Sequence, residues 1–173
     1  ENTTIGGDEV NKKQWAACPR CKKLIADKLL KNTSGVQNYF IRRMETIVRK
    51  HKMKMMGWNE ILHGGKLAPD MIIQSWVGVG PGIHAAKLGH QVVMSPGPYL
   101  YFDMAEAPGE RGHWWAGIVT VKDTYGYDPT DYAGIPASAK SKFMGIEAAL
   151  WGEFLDTPNE PDYKTFPRLC ALS

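Results

Sequence analysis

Short apolar runs alternate along the chain with longer stretches of helical spacing, a pattern that predicts βα units. The first apolar signal, Thr3-Thr4-Ile5, stops at once at Gly6-Gly7, so a strand near residues 2–7 ends there. Trp15 to Cys18 lead into Pro19, a favourable first helical residue, and Cys21, Leu24, Ile25 and Leu29 continue at helical spacing. A second helix is predicted from Ser34, with Gln37 three residues on to complete a capping box. Val36, Phe40, Met44, Ile47 and Val48 form its apolar stripe; Arg42, Arg43, Arg49 and Lys50 form a solvated face. Strands follow near residues 53–58, 70–76 and 91–95, and a short helix opened by Gly78, Gly80 and Gly82 ends at Gly89. Residues 96–142 carry little regular signal, and a loop that long in a compact domain is usually functional. A last strand is predicted near 143–151, and the tail at Pro167-Arg168-Leu169 begins a helix. Five strands with helical crossovers make a parallel sheet, hence an α/β fold read as a single domain over residues 1–173.

Composition narrows the function classes. The chain has 173 residues, enough for one domain with a buried core. Six Trp, seven Tyr and five Phe with mixed-sign charge exclude a disordered chain. No apolar run approaches the roughly 20 residues of a membrane span, so no membrane partner is expected. A net charge of +3 is too mild to argue for nucleic acid. The start, Glu1 to Thr4, is polar and does not read as a signal peptide. Three Cys do not build a disulfide framework. Cys18-Pro19-Arg20-Cys21 is a C-x-x-C, but zinc needs two more ligands and no second C-x-x-C or H-x-x-x-H exists. The pair reads as structural or idle, and Cys170 as a buried single thiol. No metal and no cofactor are expected. Gly78 to Gly82 lacks both the G-x-G-x-x-G spacing and the lysine of a phosphate-binding loop.

Two features carry chemistry. Asp8 and Glu9 stand side by side after Gly6-Gly7, at the strand end where parallel βα folds bind ligands. Adjacent acids on a strand point to opposite sides, and two glycines permit the bend that would bring them together. The plainer reading of that dipeptide alone is a helix N-terminus decorated with acids. The second feature is the placing of aromatics. Trp58, Trp76 and Trp151 fall at the ends of predicted strands, and Tyr101 and Trp115 lie in the loops after the strand at 91–95. Flat rings on a pocket rim suit sugar rings, and the interleaved Asp103 and Glu153 accept hydrogen bonds from hydroxyls. A single such Trp usually packs under a loop; three strand ends in register point to a site. His63 and His113, in loops near these residues, read as surface histidines that also lie within reach of a substrate.

Ile5-Gly6-Gly7-Asp8-Glu9-Val10 resembles the catalytic signature of the β-N-acetylhexosaminidases of glycoside hydrolase family 20. Further motifs occur in that family's order: Gly57-Trp58-Asn59-Glu60-Ile61, Gln74-Ser75-Trp76, Tyr99 to Asp103, Trp115-Ala116-Gly117, Gly145 to Glu153, and Phe166 to Leu169. The resemblance implies a glycosidase that removes terminal β-linked N-acetylglucosamine or N-acetylgalactosamine from a glycan by substrate-assisted retaining catalysis, an exception to the two-carboxylate scheme. It implies Glu9 as general acid/base, Asp8 as the partner that orients the acetamido group, and Tyr101 as donor to the acetamido carbonyl. Trp58, Trp76, Trp115 and Trp151 would wall the sugar pocket, and Asp103 and Glu153 would hold the outer hydroxyls. It also implies a periplasmic or extracellular location.

The same resemblance implies only part of a TIM-type (β/α) barrel, because such barrels take about 250 residues. The first three strands and a sugar-binding arginine have no counterpart, Thr4 replaces a frequent His, and Asn59 stands where an acid is common. A half barrel leaves two strand edges and an apolar inner face uncovered, here expected to hold Met55, Ile73, Val93 and Met94 or their neighbours. A homodimer that completes the barrel is the expected remedy, with Arg111 as a candidate side chain lent across it; the rival is a monomer whose 96–142 segment folds over the open face. The alternative is an inert carbohydrate-binding remnant, or one half of a split enzyme.

Overall fold

The computed structural model describes residues 1–132 and 135–172. One sheet holds five parallel strands in sequential order: β1 (Asn2–Thr4), β2 (Lys54–Trp58), β3 (Ile72–Ser75), β4 (Gln91–Met94) and β5 (Phe143–Ile146). Helices α1 (Lys13–Ala17), α2 (Pro19–Asp27) and α3 (Thr33–Lys50) connect β1 to β2, and α4 (Val79–Lys87) connects β3 to β4. Between β4 and β5 run α5 (Gly97–Leu100), α6 (Val121–Tyr125) and α7 (Ala137–Lys140), and α8 (Glu160–Thr165) and α9 (Arg168–Leu172) close the chain. The α/β class and the five parallel strands agree with the pattern of apolar runs.

The strands are shorter than the apolar runs because the chain turns toward one end of the sheet. β1 stops at Thr4 although Ile5 still donates to the Met56 carbonyl at 2.9 Å and Trp58 to the Gly6 carbonyl at 3.0 Å. β5 ends at Ile146, not at Trp151. Its pairing resumes at Ala149, which bridges Tyr101 just after α5. The expected structureless stretch 96–142 instead contains three short helices. The third residue of α6, Asp123, closes a capping box with Thr120, but a five-residue helix is too short to show a period.

Register decides which side of each strand meets the helices. Met55, Gly57, Ile73, Val92 and Met94 share one face, and there they pack with Ile41 and Val48 of α3 and Ala85 and Ala86 of α4. Met56, Trp58, Gln74 and Val93 share the other face. The expected inner face is therefore corrected: of Met55, Ile73, Val93 and Met94, only Val93 lies opposite the helices. Strands this short are apolar on both faces, so alternation does not reveal which parity turns inward.

Helix α3 departs from expectation at its start. Its cap is Asn32, whose side-chain oxygen accepts from Ser34 N–H at 2.9 Å and Gly35 N–H at 3.2 Å. Gln37, freed from capping, is buried and donates to the Gly7 carbonyl at 2.7 Å. Phe40 and Ile47, expected on the buried stripe, are 56% and 48% exposed and face a groove instead of the sheet.

A buried cation ties the end of the chain to the segment after α5. Arg168 is fully buried, with its guanidinium over the Phe102 ring at 4.7 Å and an ion pair to Glu106 at 3.1 Å. It donates to the carbonyls of Phe102 at 2.5 Å and Val119 at 3.1 Å. With Arg168 turned inward, Cys170 on the same short helix is exposed, which corrects its expected burial. Arg111, the candidate side chain for another subunit, pairs here with Asp156 and, at 3.1 Å, with Glu160 of its own chain. Truncating Arg168 to Ala leaves Glu106 and the four carbonyls of Phe102, Met104, Val119 and Lys164 without their partner, so stability should fall by about 3 kcal/mol or more. Thermal denaturation measures this; an unchanged midpoint would contradict the role given to Arg168, and Arg168→Lys should recover only part, since an ammonium lacks the planar fork.

Candidate active site

The site begins with a backbone problem. After β1 the chain runs through Gly6 at φ 66° and Gly7 at φ 101°, and Glu9 itself sits at φ 45°. A left-handed conformation at a non-glycine residue costs of order 1–3 kcal/mol and persists only when its surroundings impose it. The surroundings are the Gln37 bond to the Gly7 carbonyl and a close approach at Gly7, where a Cβ would fall 2.5 Å from Ile61 Cγ2. The turn brings Asp8 and Glu9 to one cavity. The next helix starts only at Lys13 and has no acid in its first turn, so the two acids do not decorate a helix N-terminus.

That cavity has a volume of about 520 Å³. Its lining contains Asp8, Glu9, Trp58, Trp76, Tyr101, Asp103, Trp115, Trp151 and Glu153, so all nine residues singled out in the sequence meet in one place. His113 lines it as well, whereas His63 is exposed and does not. No arginine is among the lining residues described. The rings form two groups. Trp76 stacks on Tyr101 at 6.1 Å, and Trp115 stands edge-on to both, at 5.6 Å and 5.2 Å. Trp58 and Trp151 meet at 6.4 Å across the other side. Such pairs prefer offset or edge-to-face contact, which sets ring orientations before any ligand enters.

Trp76 is fixed from behind by two residues of the turn after β2. Its indole N–H is shared by both Glu60 oxygens at 3.0 Å, and its backbone N–H donates to Asn59 Oδ1 at 3.1 Å. The acid of the Trp58-Asn59-Glu60 motif therefore positions a ring, a role the sequence pattern does not distinguish from that of a solvated loop carboxylate. Beneath, Gln74 of β3 donates to Ser95 at 3.0 Å and to Glu147 at 2.8 Å, joining three strand ends.

The electrostatics single out two groups. Burial pushes the Tyr101 phenol well above its ordinary value, so its hydroxyl stays protonated and remains a donor. Asp103 is 2% exposed, and among the described residues neither carboxylate oxygen has a hydrogen bond of full geometry, although the backbone N–H groups of Asp103 and Trp151 lie nearby. Burial is the largest influence on its carboxyl and raises its pKa; nearby backbone N–H groups and His113 oppose this only in part. His113 lies edge-on to Phe154 at 4.8 Å and 3.8 Å from a Glu153 oxygen. A buried carboxylate without donors is costly unless a ligand brings them.

Asp103 gives a pH prediction with a definite sign. Its pKa is raised in the folded chain, so the folded state keeps a proton that the unfolded state has lost, and stability falls as pH rises through that interval. Asp103→Asn removes the penalty. The variant should melt higher than the parent at neutral pH, and the gain should vanish below the ordinary aspartate pKa of about 3.9. Paired thermal melts across pH check this; a gain independent of pH would contradict it.

The whole chain, residues 1–173, matches the family model described as glycosyl hydrolase family 20, catalytic domain. It is 39% identical over 171 residues to a β-hexosaminidase of Porphyromonas gingivalis, covering 98% of this chain and 22% of that protein. To a β-hexosaminidase of Vibrio furnissii it is 32% identical, covering 98% of this chain and 28% of the other. The crystal structure of a family 20 exo-β-N-acetylglucosaminidase from Vibrio harveyi, in complex with N-acetylglucosamine, superposes with a TM-score of 0.88 at 34% identity, over 99% of this chain and 27% of that one. The chain thus spans between a fifth and a third of the length of these relatives, and its five parallel strands are a fraction of the family's TIM barrel. With a match that runs from its first residue to its last, the chain belongs to the catalytic domain of glycosyl hydrolase family 20.

Proposed function

We propose that the chain removes terminal β-linked N-acetylhexosamine from glycans by substrate-assisted, retaining hydrolysis. The observation that carries this reading is the left-handed Gly6–Glu9 turn, which delivers two adjacent acids to a cavity walled by four tryptophans and Tyr101. The N-acetylglucosamine complex of the Vibrio harveyi relative supports the same class of substrate. In this reading the sugar lies against the rings, which exclude water from its apolar faces. Tyr101 donates its hydroxyl proton to the acetamido oxygen, and Asp8 accepts the acetamido N–H. Together they hold that oxygen for attack on the anomeric carbon, an orientation effect. Glu9 gives a proton to the glycosidic oxygen as the bond breaks, then takes one from the water that opens the cyclised intermediate. Asp103, whose two oxygens have no hydrogen bond of full geometry among the described residues, accepts from hydroxyls at the far side of the ring, with Glu153 beside it.

Release of nitrophenol from a chromogenic N-acetylglucosaminide by the pure chain tests the assignment. Glu9→Gln should lower turnover by about 10²–10⁴-fold, and Tyr101→Phe should lower kcat more than it raises KM, because the lost bond positions the attacking oxygen. Turnover that persists in Glu9→Gln overturns the role of Glu9. Sugar binding with no turnover in the parent chain would favour a binding remnant instead.

The proposal extends to assembly. β1 and β5 end the sheet with unpaired edges, and a second copy meeting the first would cover them. Sedimentation should then give twice 19.3 kDa and turnover should fall on dilution; an active species of 19.3 kDa contradicts the dimer.

A further inference from the structure

Cys18-Pro19-Arg20-Cys21 lines no part of the sugar cavity, and nothing in the proposed reaction uses it. Cys18 occupies the cap position of the nine-residue α2, with Pro19 as the first helical residue, and Cys21 follows within the first turn. As the cap residue, Cys18 has its sulfur beside the backbone N–H groups of Arg20 and Cys21 in the first turn of this helix. A thiolate there is favoured by the helix dipole and by the first-turn N–H groups. Both thiols are partly exposed, and no residue of α2 is buried, so no core contact resists a small tightening of the turn.

The surroundings are basic. Residues 12–23 contain Lys12, Lys13, Arg20, Lys22 and Lys23 and no acid. The two sulfurs are also unequal. The backbone N–H and thiol of Cys21, followed by the Arg20 charge, hold the Cys18 thiol below its ordinary range. The Cys21 thiol, directed at Cys18, is pushed above it. Cys21 borders a groove of about 690 Å³ shared with Trp15, Leu24, Phe40 and Met44, which leaves space beside it.

We propose that Cys18 and Cys21 are a redox-active dithiol, Cys18 attacking and Cys21 resolving, which closes to a disulfide by exchange with a small anionic disulfide. The Cys18 thiolate attacks one sulfur of that disulfide, forms a mixed disulfide and expels one thiolate. Cys21 then loses its proton and attacks the Cys18 sulfur, expelling the second. The protein gives up two electrons and two protons, and the reagent leaves as two thiols. The basic stretch attracts the anionic reagent and stabilises the departing thiolates. The C-x-x-C is thus a site of covalent modification outside the sugar cavity, where the sequence alone reads it as structural or idle.

The test uses the folded full chain in graded ratios of oxidised and reduced glutathione, followed by peptide mapping without reduction. The expected product is a Cys18–Cys21 disulfide, with the chain lighter by two hydrogens. Cys21→Ser should stop at a glutathione adduct on Cys18, and Cys18→Ser should react at the motif at least about tenfold more slowly. Alkylation of Cys18 in the parent should show a pH midpoint below the ordinary thiol value of about 8.5. No disulfide at any ratio, an adduct on Cys21 in preference to Cys18, or a midpoint at the ordinary value would each overturn the proposal. Glycosidase turnover is not a readout, so the outcome is independent of the proposed sugar chemistry.

Discussion

Side chains of adjacent residues on an extended strand point to opposite sides, so two consecutive carboxylates meet one ligand only if the backbone leaves the extended region. Here that happens between Gly6 and Glu9, three of whose four residues have left-handed φ angles. Two of the three are glycines, which reach that region without steric cost. The third is Glu9, which does not, and the strain is held in place by Gln37 from α3 and by Ile61 from the turn after β2. Helix α3 therefore does more than cover the sheet. Its buried amide reaches the turn that carries the acids, which explains why a polar residue occupies its inward side.

The rest of the cavity is arranged around that turn. Strand ends β2 and β3 supply Trp58 and Trp76, and the segment after α5 supplies Tyr101 and Asp103. Two parts of this wall are fixed from outside the cavity: Trp76 by Glu60 and Asn59, and the Asp103 segment by Arg168. The wall keeps one carboxylate, Asp103, buried, with neither oxygen in a hydrogen bond of full geometry among the described residues. That arrangement is unfavourable in the empty site and favourable with a hydroxylated ligand, the pattern expected where stability is given up for recognition.

Much of this was legible in the chain. Gly6-Gly7 before two acids and a tryptophan at each of three predicted strand ends are local patterns, and with the motifs of the family resemblance they mark nine residues that line one cavity. What was not legible depends on contacts distant in sequence. Gln37 has the right spacing for a capping box, yet bonds to a carbonyl thirty residues away. Arg168 lies in the tail motif Phe166 to Leu169, but nothing local shows that it is buried under Phe102. The inward parity of β2, β3 and β4 is not legible because apolar residues occupy both faces. His113 and Glu60 carry no pattern that separates a site residue from a surface one.

The central claim is that the turn and the aromatic wall together recognise an acetamido group folding back on its own sugar. Titration of the pure chain with a bicyclic analogue of the cyclised acetamido intermediate, against N-acetylglucosamine itself, measures this directly. The account predicts that the analogue binds at least about 10²-fold more tightly, as a mimic of the state the site stabilises, and that Asp8→Asn removes most of the difference. Equal affinity for the two ligands, or a preference untouched by Asp8→Asn, would contradict it.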